Sequence, residues 1–258
     1  MSYNTLIVSI ADGTCFVQIN RLNEKNKLSI ECMNELTEAF KEAAEDMKCF
    51  SIILSGQPDC FCFGGELGDF RKKSILEIKM FGNAFIILHI AMSNCPKPII
   101  AAVEGDALGG GFSLVEACDL AVGSETANFA IPEILEGLAP AMGLSGIFAN
   151  LGKKEIMSLG LLGEKFSANK ALELGMINWV EPKANVLDKA KEIAEFFVKA
   201  NPTAIKMFKE LYVDMGMRNY ENRLKMGQAM MIGMLKSKDG MEVLDSREQF
   251  RAPIWCGE

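Results

Sequence analysis

Histidine is almost missing from this chain of 258 residues. The single one, His89, leaves next to no basis for a histidine-built metal site. No block of lysine and arginine occurs either, and the formal net charge is -7. That balance argues against general nucleic-acid affinity, which rests on basic patches. The N-terminus, MSYNTLIVSIADG, lacks the basic start and long apolar region of a signal peptide. The longest apolar runs, FIILHIAM and PIIAAV, are each too short to span a bilayer. Eight cysteines are scattered with no C-x-x-C pair among them, so they read as reduced, mostly buried thiols of a cytoplasmic protein. Neither a solenoid period nor a low-complexity segment interrupts the chain.

What remains is an ordinary globular composition, apolar enough for a large core. Two β-type runs, LIVSI and CFVQI, flank a turn at Asp12-Gly13, which predicts a hairpin. Ser29 is a candidate N-cap for a helix in which Met33, Leu36, Phe40 and Ala44 recur at helical spacing. A strand at FSIILSG leads into the loop QPDCFCFGGELGDF, and a long helical stretch covers 74–93 before the prolines of NCPKP stop it. IIAAVEG, CDLAVG and ANFAI read as further strands, and from about Met142 the pattern is mostly helical, with a late strand at MINWVEP. Strands joined by helical crossovers and followed by helices predict an α/β core over residues 1–200 and a helical C-terminal region over 201–258.

The stretch DALGGGFSL places three glycines between a buried strand and a helix. Ordering glycine is costly, so the bare backbone answers a need. A P-loop would end in Gly-Lys-Ser/Thr, whereas Phe112 and Ser113 follow here, and the spacing of a dinucleotide fingerprint is absent. Two readings stay open: a tight turn with no ligand, or a free amide at a helix N-terminus aimed at developing negative charge. A second pair, Gly64-Gly65 in CFCFGGEL, could supply the partner amide of such an oxyanion hole.

These segments resemble the enoyl-CoA hydratase/isomerase (crotonase) superfamily. FCFGGELGDF is similar to its F-x-x-G-[AG]-D/E-L segment, and PKPIIAAVEGDALGGGFSLVEACDLAVGSETANFAIPEILEGLAP to its signature run. NRLNEKNKLS and SANKALELGMINWVEP match further motifs in order. The resemblance implies a ClpP/crotonase-like fold of repeated ββα units, a C-terminal helical trimerisation region, and a homotrimer or dimer of trimers. It also implies acyl-thioester chemistry through an enolate, with no cofactor beyond the CoA or phosphopantetheine that belongs to the substrate.

Carried over by position, the oxyanion amides fall on Gly65 and Gly110, and Gly64 lies beside the substrate. Hydratases of this family use two glutamates. The later one is retained as Glu133 in IPEILEG, while the earlier position holds Ser113, which either contacts substrate or makes room. One carboxylate suffices to move a proton between carbons. The pattern therefore resembles double-bond isomerases, and also dehydratases that act on acyl-carrier-protein-bound β-branched intermediates of polyketide assembly. A non-catalytic scaffold is the remaining alternative. Glu116 is a possible stand-in for the missing acid, His89 a packing residue or an acid-base group, Glu66 a residue that fixes the first glycine loop, and Arg251 a contact for CoA phosphate from a neighbouring subunit. A carboxylate introduced at 113 is expected to face Glu133 with room for a water between them.

Overall fold

The chain begins with the expected hairpin: β1 (Leu6–Ala11) and β2 (Thr14–Ile19) pair antiparallel from Leu6↔Ile19 to Ala11↔Thr14. Asp12 and Gly13 both take positive φ, 49° and 78°, as a tight hairpin turn requires. This computed structural model describes residues 3–57, 59–66, 68, 72–144, 151–215 and 237–257. Ser29 accepts the Cys32 N–H at 3.1 Å and starts α1 (Ile30–Glu45), whose Met33, Leu36 and Phe40 are buried. From β2 the sheet grows by parallel strands β3 (Ser51–Ser55), β5 (Ile99–Val103), β7 (Leu120–Ser124) and β10 (Trp179–Glu181), in the order β1-β2-β3-β5-β7-β10.

The alternation of side chains across these strands divides the apolar residues between two cores. Ile52, Leu54, Ile99, Ala101 and Val103 join the main core with α1. Ile53, Ile100, Ala102 and Val122 face α6 (Val186–Lys199), which covers them with Val186, Ala190 and Ala194. A second sheet packs over the main core in the order β4-β6-β8-β9: β4 (Cys60–Cys62), β6 (Asp106–Leu108), β8 (Asn128–Ala130) and β9 (Phe166–Ser167). Three of these short strands, β4, β6 and β9, have no strand signal of their own, because two or three residues cannot display a period.

The helix α2 (Ile75–Asn94) carries a full capping box, with Ser74 and Glu77 exchanging bonds. It extends the run FIILHIAM on its N-terminal side, and by length and composition its 20 residues could cross a bilayer. Instead it lies against α1 and buries Ala84, Phe85, Leu88 and Met92. The remaining helices are α3 (Gly110–Ala117), α4 (Lys153–Leu162), α5 (Ala168–Glu173), α7 (Pro202–Met215) and α8 (Lys238–Glu248). Lys209 ties α7 to the large sheet through Asp119 at 2.5 Å and the Lys97 carbonyl at 2.9 Å. Buried Asp239 of α8 accepts from Thr203 at 2.7 Å and from the Cys256 N–H at 2.7 Å, which anchors the C-terminal tail. The apolar stretch GQAMMIGML lies outside the described residues.

Candidate active site

Two glycine turns meet between β4 and α3, and main chain crowds Gly64 and Gly111 there. Gly64 has φ 87°, and a Cβ there would stand 3.1 Å from the Leu108 carbonyl oxygen and 3.3 Å from the Gly110 nitrogen. A Cβ on Gly110 would lie 3.5 Å from the Gly65 nitrogen. The nitrogens of Gly65 and Gly110 are therefore near neighbours across the junction. A Cβ on Gly111 would come within 2.0 Å of the Cys62 carbonyl oxygen, so the first turn of α3 is pressed directly onto β4.

The surrounding loop is held by residues of the NRLNEKNKLS segment. Fully buried Asn26 donates from its amide to the Cys60 carbonyl at 2.8 Å, and Arg21 pairs with Glu66 at 2.7 Å. Leu28 N–H donates to the Gly64 carbonyl at 2.8 Å, and Glu66 N–H donates to the Leu28 carbonyl at 2.9 Å. This parallel bridge uses the groups on either side of Gly65 and turns the Gly65 N–H away from the strand. Among the described residues it has no backbone acceptor. Gly110 opens α3, where the first amides have no acceptor within the helix and the dipole favours negative charge. Two main-chain donors with no backbone acceptor among the described residues thus lie side by side at the junction.

Glu133 reaches the same place from the opposite side. It sits in a single 3-10 turn, Pro132–Glu136, started by a proline and closed by Gly137 at φ 77°. Its Oε1 lies 3.1 Å from where a Gly109 Cβ would be, and its Oε2 is buried with no hydrogen-bond partner among the described residues. Burial is the main force raising its pKa above the ordinary carboxylate range, and the charge of Glu136 adds to it. Ser113 is buried one turn into α3, and its hydroxyl donates to the Gly143 carbonyl at 3.0 Å. Gly143 borders both side chains: the Cβ it lacks would be 3.2 Å from Glu133 Oε1 and 3.6 Å from Ser113 Oγ.

A stripe on α2 that sequence reasoning missed covers both turns. Phe81 lies over Gly65, its Cζ 2.7 Å from the Cβ position, and Phe85 lies over Gly110 at 3.4 Å. His89, one further turn along, stacks on Phe85 with ring centroids 4.0 Å apart. The spacing 81, 85, 89 was visible as one helix face, but nothing in the sequence says what that face covers. His89 Nδ1 bonds the Phe85 carbonyl at 2.9 Å, burial lowers its pKa, and its buried Nε2 has no hydrogen-bond partner among the described residues.

Two other candidates lie elsewhere. Glu116 faces, with His89, a cavity of about 1270 Å³ between α2, α3, α6 and α7, lined also by Phe196, Phe208, Lys209 and Tyr212. Glu133 does not line it, so Glu116 is not brought to the second carboxylate's place. Burial pushes Glu116 up to about 7. Arg251 binds Glu242 through both terminal nitrogens and also holds Gln249, and none of its partners belongs to the glycine turns. That pairing holds the Glu242 carboxyl down at about 2.

A sequence profile of the enoyl-CoA hydratase/isomerase family matches residues 9–253. The chain belongs to that family. It is 32% identical over 211 residues to a Mycobacterium leprae protein named "Probable enoyl-CoA hydratase", covering 81% of each. It is 29% identical over 212 residues to the short-chain-enoyl-CoA hydratase of Clostridium acetobutylicum, again 81% of each. Among solved structures, the enoyl-CoA hydratase of Bacillus anthracis superposes with a TM-score of 0.92 at 26% identity, covering 99% of this chain and 100% of that one. This enoyl-CoA hydratase/isomerase family member is thus an α/β crotonase-fold enzyme of the hydratase/isomerase type. The relatives favour that function over the polyketide dehydratase and the non-catalytic scaffold.

Proposed function

We propose that this enzyme shifts the C=C bond of an enoyl-CoA from the 3 to the 2 position. The observation that carries the reading is one half-buried carboxylate, Glu133, beside the glycine turns whose two amides have no backbone acceptor among the described residues, with the second acidic position held by Ser113. Glu133, as carboxylate, takes a proton from the carbon next to the thioester. The electron pair moves onto the thioester oxygen, where the N–H groups of Gly65 and Gly110 receive the charge. The same proton returns to the far end of the dienolate, and the double bond is left in conjugation. Atoms and electrons balance without a metal or redox group, and the raised pKa of Glu133 suits a group that both takes and gives a proton.

Hydration is the second reading, favoured by the names of the relatives. It needs a second group to activate or hold water, and Ser113 spends its only proton on Gly143. We take the thioester to be a CoA ester rather than a carrier-protein ester, in keeping with those relatives. The exposed apolar faces of α2 and α7 support assembly as a trimer or dimer of trimers through the region after Asn201. Arg251 of a neighbouring subunit is the proposed phosphate contact, for which it would exchange part of its pairing with Glu242. Eight unpaired cysteines, six of them buried, suit a reducing cytoplasm.

The test is a 3-enoyl-CoA followed by conjugated-thioester absorbance. Glu133→Gln is expected to lower the rate by at least ~10²-fold while thioester binding persists. A variant within a few-fold of the parent would remove Glu133 from the chemistry.

A further inference from the structure

Ser113, Gly143 and Glu133 form a chain of contacts whose middle member has no side chain. The hydroxyl of Ser113 lies 3.0 Å from the Gly143 carbonyl and 3.5 Å from the carbonyl of Gly109. A hydroxyl has one proton to give, and the shorter bond takes it, so the hydroxyl serves the distant segment rather than its own helix. Ser113 is 6% exposed, so water does not compete for that bond. Thirty positions along the chain, the Gly143 backbone is thereby held against α3. On its other side Gly143 borders Glu133: the Cβ it lacks would sit 3.2 Å from Oε1 and 3.7 Å from Ile131 Cγ2. The Glu133 carboxylate accepts from its own backbone N–H, its Oε2 has no partner, and no other side chain among the described residues orients it. Its position is set by packing, and Gly143 is one wall of that packing.

We propose that Ser113 is a positioning residue that acts on Glu133 through Gly143, and that the same tie holds main chain beside the place a second acid and its water would need. The inference rests on the reading of Glu133 as the proton carrier. It makes position 113 a determinant of which reaction occurs. A serine there fastens main chain across the gap, so the carboxylate is steadied for proton transfer and water has no seat beside it. A glutamate at 113 would meet Gly143 rather than open space. The groups that bear on the titration of Glu133 are the charge of Glu136 and the N–H of Glu133 itself, both on its own turn, while Gly109 and Gly143 border the carboxylate with main chain.

Ser113→Ala removes one oxygen and leaves the helix intact, so it tests the tie directly. Steady-state rates on a 3-enoyl-CoA, measured across pH, are expected to show kcat lowered by about tenfold or more with KM nearly unchanged. The acidic limb of the profile is expected to move to lower pH, because a loosened Gly143 admits water to a carboxyl whose pKa burial had raised. Gly143→Ala, which puts a methyl against Oε1 without touching Ser113, is expected to lower kcat as well. The double variant should lose less than the product of the single losses, since both act on one contact. A Ser113→Ala enzyme with the parental kcat and an unmoved acidic limb overturns the proposal. So does a rise in KM at constant kcat, which would make Ser113 a substrate contact. Glu133→Gln run alongside separates the two levels: if it is inactive while Ser113→Ala is parental, only the positioning role fails, and if it is active the reading of Glu133 itself fails.

Discussion

Glu116 illustrates how a single residue can tax a fold. Its carboxyl lies in an apolar cavity with Oε1 unpartnered among the described residues, and burial alone raises its pKa from 4.5 to about 7. The unfolded chain releases that proton near 4.5, so between these values the folded state holds more protons. Stability therefore falls as pH rises through this window. The full penalty, present above about 7, is at most about 3 kcal/mol. Glu116→Gln keeps the shape and removes the charge, so its melting temperature at pH 8 is expected to exceed the parent's, with the difference shrinking towards pH 5. Thermal melts over that range check this, and parallel pH curves for the two proteins would contradict it. The neighbouring residues were unequally legible from sequence. Glu133 and the two glycine pairs carried a recognisable pattern, and the structure brings them together. Gly143 carried none, because its role depends on two contacts from segments far away in the chain. Arg251 was read from its place near the end, but the partner that engages it, Glu242, is set by the fold of the tail.

At the scale of the element, the start of α3 makes the closest backbone approach of any glycine among the described residues. Gly111 approaches β4 so closely that a Cβ would sit 2.0 Å from the Cys62 carbonyl oxygen and 2.7 Å from the carbonyl carbon. Backbone on both sides leaves nothing that can rotate out of the way. Gly111→Ala is therefore expected to cost at least about 2 kcal/mol and to lower soluble yield, measurable by urea denaturation. An alanine variant of parental stability would mean that β4 shifts freely. Gly65→Ala differs in kind, since its Cβ would meet only the Phe81 ring. Elements long enough to show a period were readable beforehand: the hairpin, α1 with its Ser29 cap, α2, and the buried strands of the large sheet. The second sheet was largely hidden. Its strands of two or three residues exist because neighbouring turns deliver them to one another, as when Ala107 pairs with Phe129 and Phe129 with Phe166. That information is tertiary.

At the scale of the whole molecule, the single chain leaves apolar surface that a soluble monomer rarely shows. Phe208 is 68% and Tyr212 63% exposed on α7, and Ile86, Ile87 and Ile90 of α2 are about half exposed. Light scattering at micromolar concentration is expected to give the mass of three or six chains, and a monomer there would count against the trimer. One last consequence follows from the two N–H groups at the glycine junction. They belong to the main chain, so no exchange of side chains can delete them while the turn survives. The part of the site that would receive negative charge is in this sense common property of the fold, whereas the proton-handling part is spelled out in a few side chains. A lineage built on this scaffold can change its reaction by altering positions such as 113 or 133 and still inherit an intact electrostatic centre. New activities on such a framework lie only a few substitutions apart, and loss of function is easier to reverse than in a site whose every contact is a side chain.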